Sequence, residues 1–341
     1  MAELSANKNS LSLIRLLAAV QVLFFHLVNH LELPVNSYVS RFIFYFRGVP
    51  IFFVLSGFLI WFSIERSHTY KHFCLKRFWR IYPELWGAVI VETISILLMY
   101  RKWNIMHMIM FVICQGTILQ FWTPASLRDY GCGTPNGTLW TVCVIVQFYI
   151  ISWLVYKLFH KKQLVHWVVL ISGTVFISVI GQWVVENIGN EILVKLYGQT
   201  LFKYCWLFAV GCFIAEYKDK IIPSLSKFWY MFLVAGIIPY LTGFDVYAGY
   251  YVFWSIFMTC GMLGFAYAFP GLVIKLDISY GLFLYHMVVV NILIEIGMVG
   301  NWAYGIIAVA ISVLCAWCSC ITIGKWSVRK KGMLQKEITS V

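Results

Sequence analysis

Apolar segments of about twenty residues recur along the whole chain and constrain its fold more than any other feature. We count eleven, with approximate edges: 11–31, 42–64, 84–100, 105–122, 138–159, 166–185, 200–215, 228–243, 250–269, 278–299 and 302–323. Inside a bilayer no water is available to the backbone, so each segment must bond its own N–H and C=O groups as a helix. The sequence therefore predicts an all-α polytopic integral membrane protein.

Composition supports one membrane domain and excludes most soluble classes. Of 341 residues, 61% are hydrophobic and 12% are charged, whereas a soluble domain is about a quarter charged. No stretch outside the apolar segments is long enough for a second globular domain. We therefore predict a single transmembrane domain over 1–323 and a short basic cytoplasmic tail over 324–341. The net charge of +12 lies in short loops, which favours contact with membrane lipids over nucleic-acid binding.

Lysine and arginine set the predicted topology. The stretches 65–83, 157–163, 216–227 and the tail are basic, and basic loops stay in the cytoplasm. Three apolar segments separate the first two stretches, so one of the three must cross only partly. We assign the re-entrant or partial helix to 105–122, because Gln115-Gly116-Thr117 interrupts it. Ten crossings remain, with both termini cytoplasmic and 19 of the 26 lysines and arginines inside.

The first segment carries two ionisable residues, Arg15 and His26, eleven residues apart. Three helical turns separate them, so they share one face and lie about 16 Å apart along the axis. Ionisable residues are costly in a membrane and indicate function there. Two simpler roles remain open: Arg15 as a marker of the cytoplasmic end, and His26 as a packing histidine. His30 is one turn from His26 and is a candidate to hold its tautomer.

The pair Arg15 and His26, followed by RGVPIFFVLSG at 47–57, resembles the opening of the membrane acyltransferase-3 family. The short single-domain chain is similar to the serotype-converting O-antigen O-acetyltransferases of that family. The resemblance implies transfer of acetyl from cytoplasmic acetyl-CoA to a sugar hydroxyl. The implied acceptor is a lipid-linked or lipopolysaccharide O-antigen polysaccharide, at the periplasmic face of the bacterial inner membrane.

A second resemblance lies in KHFCLKRFWRIYP at 71–83, since family members join two spans by a similar basic, aromatic segment. We predict that Lys76, Arg77 and Arg80 bind the phosphates of acetyl-CoA and that Tyr82 belongs to the same site. The alternative is a positively charged anchor with interfacial aromatic residues.

Two histidines are candidate bases. His26 would take the proton from the acceptor hydroxyl while Arg15 helps to hold the donor. His26 taking the acetyl group itself first is equally compatible with the sequence. His286 ends DISYGLFLYH at 277–286, which resembles a late family element, and is the second candidate base. A hydrogen-bonded core histidine is its alternative.

The acceptor candidates are Arg47, Trp140 and Tyr149, with His286 beside them. Arg47 opens the second span on the outer side, and TLWTVCVIVQFY at 138–149 resembles a family motif that runs from Leu-Trp-Ser/Thr to Phe-Tyr. Many members carry two glutamates where this chain has Ile145 and Val146. A role for those carboxylates is therefore not carried over.

A different class of protein, a transporter or flippase of a lipid-linked glycan, also places charged residues in membrane segments. Concentration of the charges in one span and one loop, without an inverted repeat, favours the enzyme. The ten cysteines contain no matched pair of CxxC motifs, so the sequence indicates no metal site.

Overall fold

The computed structural model describes residues 9–242 and 251–339, with side chains up to residue 332. Within these residues the chain forms helices and turns and no strand. The helices are α1 Leu11–His30, α2 Ser37–Tyr45, α3 Gly48–Glu65, α4 Tyr70–Met99, α5 Ile105–Gln115, α6 Trp140–Phe159, α7 Leu164–Ile188, α8 Glu191–Tyr197, α9 Cys205–Glu216, α10 Lys218–Thr242, α11 Val252–Ala268, α12 Ser279–Glu295, α13 Trp302–Ser319 and α14 Lys325–Thr339.

Each of the eleven apolar segments contains a helix, which confirms the all-α prediction. The edges predicted at 243 and 250, and the last two residues of the tail, lie outside the described residues. By length and composition, seven helical stretches there suffice to cross a membrane: Leu11–His30, Ser37–Glu65, Tyr70–Met99, Trp140–Phe159, Leu164–Ile188, Lys218–Thr242 and Trp302–Gly332. Four shorter apolar helices accompany them: α5, α9, α11 and α12. The chain is a polytopic membrane protein, and the number of ten crossings stays a prediction.

Helix α5 is short because its ends are marked by local chemistry. The side chain of Asn104 accepts hydrogen bonds from the backbone N–H groups of Met106 and His107, at 2.9 and 3.3 Å, and Gly116 is its C-cap. Its 11 residues span about 17 Å, roughly half of the hydrocarbon thickness. This length agrees with a partial crossing over 105–122. Helix α9, of 12 residues, is equally short although the sequence analysis treats it as a crossing.

The basic segment 71–83, predicted as a loop, is helical from Tyr70 onward and forms the first half of α4. Pro83 lies inside that helix and has no N–H to donate, which leaves the carbonyl of Trp79 without its usual helical partner. The hydroxyl of Ser327 in α14 donates to that carbonyl instead. The helix therefore continues through the proline, and the predicted tail is itself helical.

The described residues form two compact units. The first comprises the described part of Met1–Ala18 with Tyr45–Tyr70 and Val144–Lys275. Helices α3 and α9 approach closely inside it, because Gly57 and Gly211 leave no room for a Cβ against the facing backbone. Small residues allow such backbone contact between membrane helices. The thiol of Cys212 also donates to the carbonyl of Gly57, at 3.5 Å.

The second unit comprises Ala19–Phe44, Lys71–Cys143 and the described part of Leu276–Val341. Helix α12 is its core, since 13 of its 17 residues are buried. Gly281 of α12 lies directly against Ala316 of α13. The indole of Trp302 donates to the carbonyl of Pro34, at 2.9 Å. The second unit is therefore built around an apolar helix that also buries the polar side chains of His286 and Asn291.

Candidate active site

Three imidazoles lie close together in the second unit, and we call them the histidine row: His30, His26 and His286. His26 and His30 are one turn apart on α1, with ring centroids 5.3 Å apart and planes only 6° from parallel. The ring of His286, from α12, also lies 5.3 Å from that of His26, with the planes 39° apart. The structure thus brings the two candidate bases of the sequence analysis together.

The tautomer of His286 follows from its surroundings. Its Nδ1 lies 2.9 Å from the carbonyl oxygen of Leu282, and a carbonyl only accepts, so Nδ1 carries the hydrogen. Nε2 is then the lone-pair nitrogen. In the described part of the chain this buried Nε2 has no hydrogen-bond partner. His286 is fully buried and therefore presents a basic nitrogen to the interior.

His26 lies at the centre of the row and is partly exposed. Its Nδ1 is buried and makes no hydrogen bond within residues 9–242 and 251–339. Two imidazolium cations about 5 Å apart repel strongly where the dielectric constant is low. We therefore expect one imidazole of the row to be protonated at a time. A base that accepts a proton and returns it requires this behaviour.

Arg15 is on the same continuous helix as His26, as predicted. The helix runs without interruption from Leu11 to His30, so the eleven-residue spacing keeps its three turns. Arg15 belongs to the first unit and is half-buried.

The four predicted donor-binding residues lie together along the first half of α4. Lys76 is only 5% exposed. The guanidinium of Arg77 lies over the ring of Phe73, at 5.7 Å. Tyr82 stacks on Phe78 with ring centroids 5.0 Å apart. The segment is a row of cations interleaved with aromatic rings, as the sequence indicates.

Arg80 has a more elaborate environment, which the sequence analysis missed. Its guanidinium lies 5.6 Å from the ring of Tyr280, whose hydroxyl donates to the carbonyl of Ile81 at 3.0 Å. The buried carboxylate of Glu84, one turn further along α4, interacts electrostatically with Arg80 and accepts a hydrogen bond from Ser319 at 3.2 Å. In the sequence, the four-residue spacing of Arg80 and Glu84 could have predicted this interaction, because residues four apart are neighbours on a helix. These contacts hold the side chain of Arg80 in one orientation.

The chain between α5 and α6 is fastened to α12, and we call its residues 130–136 the strap. The backbone N–H of Gly131 donates to Glu295 at 2.7 Å, and that of Cys132 donates to Asn291 at 2.8 Å. The amide of Asn291 donates in turn to the carbonyls of Thr134 and Pro135, at 3.1 and 2.6 Å. The side chain of Asn291 therefore forms three hydrogen bonds with the strap.

The other end of the strap reaches past His286. The side chain of Asn136 donates to the carbonyl of Leu284, at 2.9 Å. Contacts at Leu284 on one side and at Asn291 on the other thus bracket His286 along α12. Gly131 has a φ of +55°, and the side chain of Asn291 fills the position of a Cβ. Only glycine combines that φ with that close approach.

The remaining acceptor candidates are divided between the two units. Arg47 and Tyr149 belong to the first unit, and Trp140 belongs to the second, at the start of α6. Arg47 is exposed, and its guanidinium lies over the rings of Tyr251 and Trp254, at 4.7 and 4.9 Å. Their predicted contact with an acceptor stays a prediction.

Comparison with known families decides the class of the protein. A family model described as an acyltransferase domain, acyltransferase-3, matches residues 8–321. The chain belongs to the acyltransferase-3 family. It is also 29% identical over 328 residues to nodulation protein 10 of Rhizobium leguminosarum bv. viciae, with 87% of each chain covered. No solved structure matches the chain.

Membership confirms the resemblance drawn from Arg15, His26 and the segment 47–57. This acyltransferase-3 protein is an acyltransferase enzyme with several membrane helices. The histidine row and the basic half of α4 both lie within the matched residues.

Proposed function

We propose that the protein is a membrane O-acetyltransferase of the bacterial inner membrane. It moves acetyl from cytoplasmic acetyl-CoA to a sugar hydroxyl of O-antigen or a related surface glycan, lipid-linked or in lipopolysaccharide, at the periplasmic face. The observation that carries the proposal is the histidine row. It places an acid–base group inside the membrane segments of an acyltransferase.

In the proposed reaction the acceptor hydroxyl gives its proton to His26 as its oxygen attacks the thioester carbonyl. The C–O bond forms, the C–S bond breaks, and the departing sulfur receives the proton from His26 as CoA thiol. No proton is gained or lost overall. A two-step route, in which His26 first accepts the acetyl group and then passes it to the hydroxyl, balances in the same way.

In this scheme His286 does not contact the substrate. It is a positioning residue that acts on the imidazole of His26. Its lone-pair nitrogen is fixed by the bond from Nδ1 to Leu282, so it can only accept a hydrogen bond there. With its ring 5.3 Å from that of His26, such an acceptor is proposed to favour one tautomer of the neighbouring ring and to stabilise the cation formed when the base is protonated.

The donor is proposed to bind along the first half of α4. Acetyl-CoA carries phosphates at one end, and Lys76, Arg77 and Arg80 supply cations of which Arg80 is already oriented. Tyr82 belongs to the same half of the helix, and Arg15 lies between this level and His26 in the predicted topology. That topology keeps ten crossings, both termini in the cytoplasm and α5 as the partial helix.

A transfer assay tests the function. Membranes containing the protein are incubated with labelled acetyl-CoA and O-antigen, and the glycan is analysed by mass and NMR. We expect one acetyl group per modified sugar, removable by mild alkali. A glycan of unchanged mass would contradict the proposal and favour the transporter or flippase reading.

A further inference from the structure

Glu92 of α4 is a buried carboxylate that the acetyl-transfer scheme does not use. Its side chain is fully buried, and neither carboxylate oxygen has a hydrogen-bond partner in the part of the chain that the structure describes. Burying an unpartnered polar group is costly, and such groups are rare in native proteins. An ionisable residue in a membrane segment therefore needs a functional explanation.

The groups near Glu92 are hydroxyls. Ser95 donates its hydroxyl to the backbone carbonyl of Glu92 at 2.7 Å, and its oxygen lies 3.2 Å from the hydroxyl of Tyr130. Burial, with smaller contributions from the carboxylates of Glu92 and Glu295, raises the pKa of Tyr130 to about 12. Tyr130 is therefore protonated at neutral pH and acts as a hydrogen-bond donor.

The strap links this cluster to the histidine row. Tyr130 begins the strap and is anchored in a buried cluster formed with Ile96, Tyr100, Met108, Phe111 and Leu127. Asn136 ends the strap at Leu284, two residues before His286. Six residues extend over at most about 20 Å. Tyr130, near Glu92, and Asn136, near His286, thus stand at the two ends of one short, immobilised segment.

We propose that Glu92 and Tyr130 form a second acceptor subsite, which binds the hydroxyls of a sugar unit close to the one that is acetylated. The carboxylate accepts from a sugar hydroxyl, and the phenol oxygen, whose own hydrogen is donated to Ser95, accepts from a second one. The identification of the ligand as a glycan rests on the proposed function.

Two other uses of Glu92 agree less well with its surroundings. A metal site needs several ligands, and within residues 9–242 and 251–339 no group of three histidine, cysteine, aspartate or glutamate side chains is placed to hold one. A proton outlet is not required either, because the proton of the acceptor hydroxyl ends on the departing sulfur. A hydroxyl-bearing ligand supplies the donors that this carboxylate lacks.

Stability of the ligand-free protein is the first measurement. We expect Glu92→Leu in the full-length, detergent-solubilised protein to unfold at the same temperature as the parent or higher, because an unpartnered buried polar group is removed. A decrease of several degrees would mean that Glu92 has a structural partner and would overturn the proposal. Glu191→Gln is the matched control, since Glu191 is exposed and lies in the first unit.

Binding is the second measurement, with an oligosaccharide released from O-antigen by mild acid as the probe. Its affinity is read from the ligand-dependent rise in unfolding temperature, which needs no catalysis. We expect Glu92→Leu to bind at least about tenfold more weakly. Glu92→Gln and Tyr130→Phe should give smaller losses, and Glu191→Gln none.

The outcomes separate the subsite from the proposed reaction. A parent protein that binds the oligosaccharide but transfers no acetyl group would contradict the reaction and leave the subsite standing. Parent-like affinity in both Glu92→Leu and Tyr130→Phe would overturn the subsite while transfer continued. A parent protein that does not bind the oligosaccharide would also overturn it.

Discussion

At the scale of single residues, the histidine row shows how neighbours give one side chain its chemistry. Two imidazoles neighbour the ring of His26, the stacked ring of His30 and the fully buried ring of His286. The carbonyl of Leu282 decides which nitrogen of His286 is basic. Two predictions belong to this scale.

His26→Ala should abolish acetyl transfer while the protein still inserts at normal levels, because no group remains to take the hydroxyl proton. General-base removal typically costs about 10²–10⁴-fold in rate. Transfer is measured with labelled acetyl-CoA, and insertion by the amount of protein in washed membranes. His166→Ala, at an exposed histidine of the first unit, is the control. Activity close to that of the parent would reject His26 as the base.

His286→Ala should lower kcat about tenfold or more and leave the KM for acetyl-CoA unchanged, since His286 acts on His26 rather than on the donor. The pH profile of kcat should also move, because the neighbour that stabilises protonated His26 is lost. Loss of expression alone, with a parental kcat and pH profile in the protein that remains, would indicate only a packing role.

At the scale of secondary-structure elements, α4 and α12 each have two functions in one helix. The first half of α4 carries the row of cations, and its second half carries Glu92. Helix α12 supplies His286 and, one turn and a half later, the Asn291 that fastens the strap. Substitutions in the two halves of each helix are therefore expected to affect different properties of the protein.

Arg77→Ala and Arg80→Ala should each raise the KM for acetyl-CoA about tenfold or more, because a charge-assisted bond to phosphate is lost. Glu84→Gln should give a smaller rise, since Arg80 loses an orienting partner. Lys157→Ala, an exposed basic residue at the end of α6, serves as the control. An unchanged KM in both arginine variants would contradict donor binding and favour the alternative role of the segment as a membrane anchor.

Asn291→Ala should loosen the strap. It leaves the N–H of Cys132 and two strap carbonyls without partners, which costs about 1–3 kcal/mol for each buried group that water does not reach. Hydrogen exchange over 130–136 should accelerate and the unfolding temperature should fall. Asn187→Ala, which removes an exposed asparagine bonded within its own helix, should change neither. Unaltered exchange in the strap would mean that other contacts hold it.

At the scale of the whole molecule, the two units divide the proposed functions. The second unit contains the histidine row, the basic half of α4 and the strap, whereas Arg15, Arg47 and Tyr149 belong to the first. Helix α5 is long enough to span only about half of the hydrocarbon. Whether it counts as a crossing decides on which side of the membrane every later loop lies.

A topology experiment tests that number. Reporters inserted after Arg128 and after the last residue should report opposite sides of the membrane, the first periplasmic and the second cytoplasmic. The reason is the bias of lysine and arginine toward the cytoplasm. A periplasmic C-terminal reporter would require an odd number of crossings from a cytoplasmic N-terminus and would contradict the predicted ten.

Much of the site was predictable because membrane chemistry makes isolated polar residues conspicuous. His26, His286 and the cations of 71–83 stand out in apolar sequence, and each was identified separately. Glu92 was equally visible as an acid inside the apolar segment 84–100, but no family motif drew attention to it. Asn291 and Glu295 were missed because their partners are distant in sequence. Glu84 was missed although one of its partners, Arg80, is only four residues away.

By itself the sequence determined the helical class, the membrane location and the family, since hydrophobicity and local spacing act within one segment of chain. Only the tertiary structure decided that His286 meets His26, that Ser327 replaces the missing donor at Pro83, and that the strap is fastened across α12. Each of these is a contact between residues 148 to 260 positions apart in the sequence. Side-chain geometry in the packed state sets such contacts, and no periodicity in the sequence encodes them.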